Sequence, residues 1–217
     1  PKIMLMDEPF SALDPPTREA LLIDLQAILR ETGVTTVLVT HDRNEAFMMG
    51  QRVGVLSAGK VLHLGSNFDV FTRPLSEEVG EIVGVDNGIP AVIQGVSDGI
   101  ATVRFDGGTA LVPGNFELAA RVVLCVRSDE IRLARVDGAQ QIPNGVNRVQ
   151  VKVINISPWG LYYRLTLQSG DGKLIALVTR SSFRDLCLRA GEPAVASVSP
   201  EVVHVISPRA PSRTSCA

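Results

Sequence analysis

The sequence predicts an α/β part built on a parallel sheet, followed by an all-β part of the small-barrel kind. Three observations carry this. Before Val85-Asp86-Asn87-Gly88, strand-like and helix-like patterns alternate. After it, short β-like runs follow one another, with turns at Asp98-Gly99, Asp106-Gly107 and Asp171-Gly172. The 217 residues are 45% hydrophobic and 20% charged, with a net charge of -2, which is ordinary globular composition. That apolar content excludes global disorder. With 21 Lys plus Arg against 23 Asp plus Glu, a strongly basic nucleic-acid binder is excluded as well. No apolar run approaches the roughly 18 residues needed to span a bilayer.

The elements follow in order. Ile3-Met4-Leu5-Met6 is a short apolar run suited to a buried parallel strand. Asp14 caps a helix with Pro15 and Pro16 in its first turn. Leu21, Leu22, Leu25, Ile28 and Leu29 recur at helical spacing, and Gly33 stops the helix. Val34 to Thr40 is β-branched and predicts a second buried strand. Asp42 and Glu45 form an Asp-x-x-Glu cap for a short helix. Runs 52–56 and 60–64 flank Ser57-Ala58-Gly59 as a hairpin, Ser66 with Asp69 caps another short helix, and 76–83 is helical.

In the second part, strands are predicted over 91–96, 101–105, 121–126, 150–156, 162–167, 174–179, 194–198 and 202–205. Ser181 or Ser182 caps a helix over 183–188, and Gly191 follows. Many short strands with one small helix suggest an OB-type barrel. The organisation is therefore 1–86, 87–206 and a disordered Pro, Ser and Arg-rich tail at 207–217. Cys125, Cys187 and Cys216 are odd in number and widely spaced, which argues for reduced thiols, the first two buried, rather than a disulfide or zinc framework. The chain opens at Pro1 within a strand pattern and without Met, so a fragment lacking its N-terminal part is expected.

The chemistry concentrates where the first strand ends. Asp7 and Glu8 are adjacent acids at the carboxyl end of a parallel strand, where open sheets bind ligands. Asp7 suits a Mg²⁺ ion, which takes one or two carboxylates plus phosphate oxygens. Glu8 suits deprotonation of a water attacking a γ-phosphate. His41 closes the next strand and reaches the same sheet edge, where an imidazole can meet a terminal phosphate.

These residues resemble the nucleotide-binding subunit of ABC transporters. Ile3-Met4-Leu5-Met6-Asp7-Glu8-Pro9 resembles its Walker B strand with the catalytic glutamate, Ser11-Ala12-Leu13-Asp14 its D-loop, and Val39-Thr40-His41-Asp42 its switch-histidine loop. The resemblance implies a partial P-loop NTPase fold with ATP and Mg²⁺ as cofactors. It implies that Asp7 binds Mg²⁺, Glu8 is the general base, His41 senses the γ-phosphate, and Ser11 and Asp14 couple two subunits. The Walker A pattern G-x-x-x-x-G-K-[ST], the Leu-Ser-Gly-Gly-Gln signature and the glutamine loop are absent. This chain alone is therefore expected neither to bind ATP tightly nor to hydrolyse it, although the resemblance implies a parent protein that is an ATPase.

The second part resembles the TOBE domain of importer ATPases, through Arg127-Ser128-Asp129-Glu130-Ile131-Arg132-Leu133. Ala176-Leu177-Val178-Thr179-Arg180-Ser181-Ser182 and Leu186-Cys187-Leu188 are similar to the Mop-like, molybdate-binding version. Thr179, Ser181, Ser182, Asn147 and Arg148 are the candidate oxyanion ligands, since a dianion wants backbone N–H groups, hydroxyls and a helix N-terminus. Ser199-Pro200-Glu201 places an acid where that version has a cation, which disfavours a dianion. Trp159, Tyr162 and Tyr163 are read as core or interface residues rather than base-stacking ones. The resemblance implies a peripheral protein on the cytoplasmic face of the membrane. It implies a second ATPase subunit, permease subunits, an external solute-binding protein indirectly, and molybdate or tungstate as cargo. Sulfate, ferric iron, polyamine or sugar importers, and a non-catalytic oxyanion-binding or dimerisation module, are the alternatives.

Overall fold

A computed structural model describes residues 2–138 and 142–207. The predicted tail beyond Ser207 lies outside them. The chain divides into two compact units, Pro1–Arg73 and Pro74–Ala217.

The first unit is mixed α/β. Strand β1 (Ile3–Asp7) runs into helix α1 (Pro15–Thr32), which returns the chain to strand β2 (Thr35–Val39), parallel to β1. Asp14 caps α1 through Thr17 N, and Gly33 ends it in the left-handed conformation. Helix α2 (Arg43–Met49), the antiparallel hairpin β3 (Arg52–Ser57) and β4 (Lys60–Ser66), and helix α3 (Asn67–Thr72) complete the unit. Its buried apolar residues are few: Phe10, Leu22, Val55, Val70 and Phe71. The two parallel strands are not buried as expected. Ile3, Leu5, Val37 and Val39 share one exposed face, Leu5 being 76% exposed. A two-stranded ribbon is also too narrow to cover the apolar stripe of α1: Leu22 is buried, while Leu21 and Ile28 are exposed.

The second unit begins with helix α4 (Glu77–Val83), capped by Ser76, and is otherwise mostly β-strand. Its strands are β5 (Asn87–Ser97), β6 (Ile100–Phe105), β7 (Gly108–Pro113), β8 (Arg121–Val126), β9 (Arg132–Arg135), β10 (Asn147–Trp159), β11 (Tyr162–Ser169), β12 (Gly172–Thr179), β13 (Pro193–Val198) and β14 (His204–Ile206). Helix α5 (Arg180–Leu186) lies between β12 and β13, and a 3-10 turn spans Pro200–Val202. One five-stranded sheet has the order β14-β8-β5-β6-β7, the other β12-β11-β10-β13-β9. Both contribute to one apolar core that includes Ile93, Val103, Leu124, Val153, Leu165 and Leu167.

The two sheets are copies of one pattern. In each, a long strand (β5, β10) pairs with the next strand and with the fourth, β8 or β13. The last strand of each half crosses to the other half's sheet: β9 pairs with β13, and β14 with β8. The register repeats residue by residue. The ladders open at Asn87↔Val126 and Asn147↔Val198, and the bulges fall at Ile93/Gly95 and Val153/Asn155. Ile93 exchanges backbone bonds with Ala119 and Ala120, as Val153 does with Gly191 and Glu192. The equivalent pairs Ile89 with Val149, Val126 with Val198, and Ile131 with Val203 line one small cavity of about 50 Å³ between the sheets.

Candidate functional site

Asp7 ends β1 in register with Val39. One more rung forms, from Glu8 N to Val39 O at 2.8 Å, and there the chain turns away. Glu8 makes that turn with a φ of 42°. A left-handed conformation costs a residue with a Cβ roughly 1–2 kcal/mol, and such strain gathers at functional sites. Ser11 holds the turn: its N and Oγ both donate to the Glu8 carbonyl, at 3.2 and 2.9 Å. The Glu8 side chain meets His41, with Oε1 3.0 Å from Nδ1. Both remain open to solvent, Glu8 about half (47%) and His41 mostly (74%) exposed.

The loop carrying His41 is fixed from below. Asp42 Oδ1 accepts from Asn44 N and Glu45 N and so caps α2. Glu45 does not reach back to complete the expected reciprocal cap. Thr40 Oγ1 instead accepts from Asp42 N at 3.0 Å and donates to Glu45 Oε2 at 2.5 Å. Arg18, on α1, donates to Asp42 Oδ2 at 3.2 Å and to the Leu13 carbonyl at 3.1 Å. Glu8, Ser11, Arg18, Thr40, His41, Asp42 and Glu45 line one cleft with room of about 30 Å³. Asp14 points elsewhere: its carboxylate caps α1, and hydrogen bonds from Thr17 hold it below the usual carboxylate range.

Of the residues expected from the sequence at one sheet edge, Glu8 and His41 line this cleft and Asp7 does not; Ser11, expected to couple two subunits, lines it too, and Arg18 and Thr40 were not among the candidates. The available signal was charge pairing, since Arg18 lies one turn beyond Asp14 while Asp42 and Glu45 crowd the facing loop. Mg²⁺ asks a protein for one or two carboxylates and takes its other ligands from phosphate and water. The exposed Asp7 carboxylate fits that need. Among the described residues no group of three or more His, Cys, Asp or Glu could hold a metal by itself.

The five oxyanion candidates form two groups. Asn147 opens β10 and spends its amide on β7: Leu111 N donates to Oδ1 at 2.6 Å, and Nδ2 donates to Leu111 O at 2.9 Å. Asn87 does the same to Ile175 of β12 at the equivalent position of the other half. Arg148 donates to the carbonyls of Ile142 and Pro143. Thr179, Ser181 and Ser182 cluster through their hydroxyls within 3.0 Å of Thr179 Oγ1. Thr179 itself, not either serine, caps α5 through Ser182 N. Thr179 registers with Tyr162 and Tyr162 with Trp159, at the far end of β10 from Asn147. Twelve residues of strand, roughly 40 Å at ~3.3 Å each, separate the groups, so one copy of the chain does not bring them together. Nearby, Trp159 and Tyr162 are exposed, whereas Tyr163 stacks on Phe183 with ring centroids 4.1 Å apart.

Residues 143–205 match the TOBE domain family. The second half of the all-β unit is a TOBE domain. The chain is similar in fold to the cytoplasmic molybdate-binding protein ModG, at a TM-score of 0.51 and 19% identity, over 57% of this chain and 97% of that one. The chain as a whole, TOBE domain included, is 34% identical over 206 residues to the molybdate/tungstate import ATP-binding protein of Pyrococcus horikoshii, covering 94% of this chain and 56% of the relative. It is 36% identical over 141 residues to the spermidine/putrescine import ATP-binding protein of Mesorhizobium japonicum, covering 64% of this chain and 39% of that relative. The chain thus spans about half the length, or less, of these relatives. Its homologues are ATP-binding subunits of ABC importers, and the likeness supports that family. Among the described residues no helix is long and apolar enough to cross a membrane.

Proposed function

We propose that this chain is the part of an importer's ATP-hydrolysing subunit that supplies the general base and the phosphate-facing histidine. The observation that carries the reading is the 3.0 Å contact between Glu8 Oε1 and His41 Nδ1, where two parallel strands end. A carboxylate there takes a proton from a water aimed at a terminal phosphate. With Nδ1–H given to Glu8, Nε2 is the ring nitrogen left to face a phosphoryl oxygen, to which it donates when the ring is doubly protonated. Asp7 is the residue that would hold Mg²⁺, which when bound neutralises charge on phosphate oxygens. Ser11 keeps Glu8 in its turn. With Asp14 it stands where a second copy of the subunit would meet the site.

The subunit carrying this chain is peripheral, on the cytoplasmic face of the membrane, docked on permease subunits that receive solute from an external binding protein. The proposed cargo is molybdate or tungstate, supported by the long alignment with the Pyrococcus horikoshii relative. A polyamine cargo is the alternative that the spermidine/putrescine relative supports. The exposed hydroxyl cluster at Thr179 favours a second role for the TOBE domain as an oxyanion sensor.

Two measurements test this. In the full-length subunit, Glu8→Gln and His41→Ala each lower the kcat for Mg·ATP hydrolysis, the first by about 10²–10⁴-fold. Wild-type turnover in Glu8→Gln contradicts the assignment. Calorimetry of the 217-residue chain with tungstate, molybdate and sulfate reads the second role. Heat that Thr179→Val abolishes supports the sensor, and no heat removes it.

A further inference from the structure

The cleft holds a charged cluster that the roles of Glu8 and His41 do not use. Glu45 is only 3% exposed. It accepts from Thr40 and lies 3.9 Å from Arg18 Nε. Arg18 Nε is itself buried without a hydrogen-bond partner. The two ends of the same guanidinium are engaged on different loops: Nη2 on the Leu13 carbonyl, in the turn that carries Ser11 and Asp14, and Nη1 on Asp42, next to His41. Leu13 and Asp42 are far apart in sequence, and this planar fork is a direct side-chain link between their loops.

We infer that Arg18 is a positioning residue that couples the Ser11–Asp14 turn to the His41 loop, so that displacing the turn moves His41 relative to Glu8. A rigid fork suits this work. Lysine offers a single point charge and cannot hold a carbonyl on one side and a carboxylate on the other in fixed geometry. A second carboxylate faces the same guanidinium, with Nε 3.9 Å from Glu45 Oε1. A network of side-chain contacts of this kind can carry coupling between two sites. The meaning of the coupling rests on the ATPase reading above, since the turn is the element that would face a second subunit; the coupling itself does not.

Nuclear magnetic resonance on the isotope-labelled 217-residue chain, without nucleotide, tests it. Arg18→Gln and Arg18→Lys should both shift the His41 ring resonances, and amides 10–14 and 40–42 should lose exchange protection together, with the all-β unit unchanged. Asp42→Asn keeps a capping side chain but loses the charged partner, and should shift His41 in the same way; it serves where Arg18→Gln does not fold. Unchanged His41 resonances in either Asp42→Asn or a folded Arg18→Gln would overturn the inference, as would loss of protection confined to 10–14. In the full-length subunit, Arg18→Lys should lower kcat about tenfold to a hundredfold with KM for ATP unchanged. Loss through KM alone overturns the coupling. Full turnover in Glu8→Gln overturns the ATPase reading and leaves the resonance result standing.

Discussion

At residue scale, Glu8 joins strain and chemistry in one position. Its φ of 42° is a conformation that glycine adopts freely and other residues adopt at a cost. Glu8→Gly and Glu8→Ala both remove the carboxylate, so their difference isolates the backbone. Glu8→Gly should be the more stable by about 1–2 kcal/mol in denaturant unfolding; equal stability would mean the turn is not strained. The cysteines separate at this scale too. Burial pushes the Cys125 thiol up to about 11, with Glu77 adding to the shift. Cys187, expected to be buried, is exposed and ends α5 in the left-handed conformation. At pH 8 a disulfide reagent should modify Cys187 within the native chain and spare Cys125, as peptide mapping would show.

At element scale, the hairpin of β3 and β4 carries a buried histidine. His63 lies beside Gly65 on its own strand, and its Nδ1 has no hydrogen-bond partner. Burial lowers its pKa below the ordinary value, against a smaller opposing pull from Asp69. The unfolded chain therefore takes up this proton more readily than the folded one. Stability is retained above the unfolded value of about 6.5 and lost as pH falls through and below it. His63→Leu should flatten the loss of first-unit stability between about pH 7 and pH 5, measured by denaturation at each pH; an unchanged slope would place the acid sensitivity elsewhere. Much of the element order was legible in the sequence because caps and turns announce themselves: Asp14, Asp42 and Ser66 cap helices as read, and Ser76, read as part of a helix, caps it. β7 and β9 were not legible. The first is a short Gly–Thr–Pro-bounded edge and the second only four residues long, and each becomes a strand through its partner, β6 or β13. The duplication was hidden for a related reason. A longer hairpin at Trp159 and the inserted α5 slide the second copy out of constant spacing, so only the ladder registers reveal it. In the cleft, Glu8 and His41 were legible from strand ends. Arg18 was not, because nothing in a linear pattern says which carbonyl a guanidinium will reach.

At the scale of the whole molecule, the two units rest on unequal cores. The first buries a handful of apolar side chains and leaves Ile3, Leu5, Val37 and Val39 open. The second interlocks two sheets by exchanging their last strands around more than twenty buried residues. Amide exchange should therefore show protection in β5, β8, β10 and β13 well above that in β1, β2 and α1. The strand exchange also explains why the all-β unit behaves as one body: neither half completes its sheet without the other. Function divides along the same line, with the proposed phosphate chemistry in the first unit and the TOBE domain in the second. The most direct test of that chemistry is Mg·ATP binding and hydrolysis measured side by side on full-length Glu8→Gln. Retained binding with turnover lowered by about 10²-fold or more is the predicted result. Turnover at the wild-type rate would contradict a hydrolytic role for the Glu8–His41 pair.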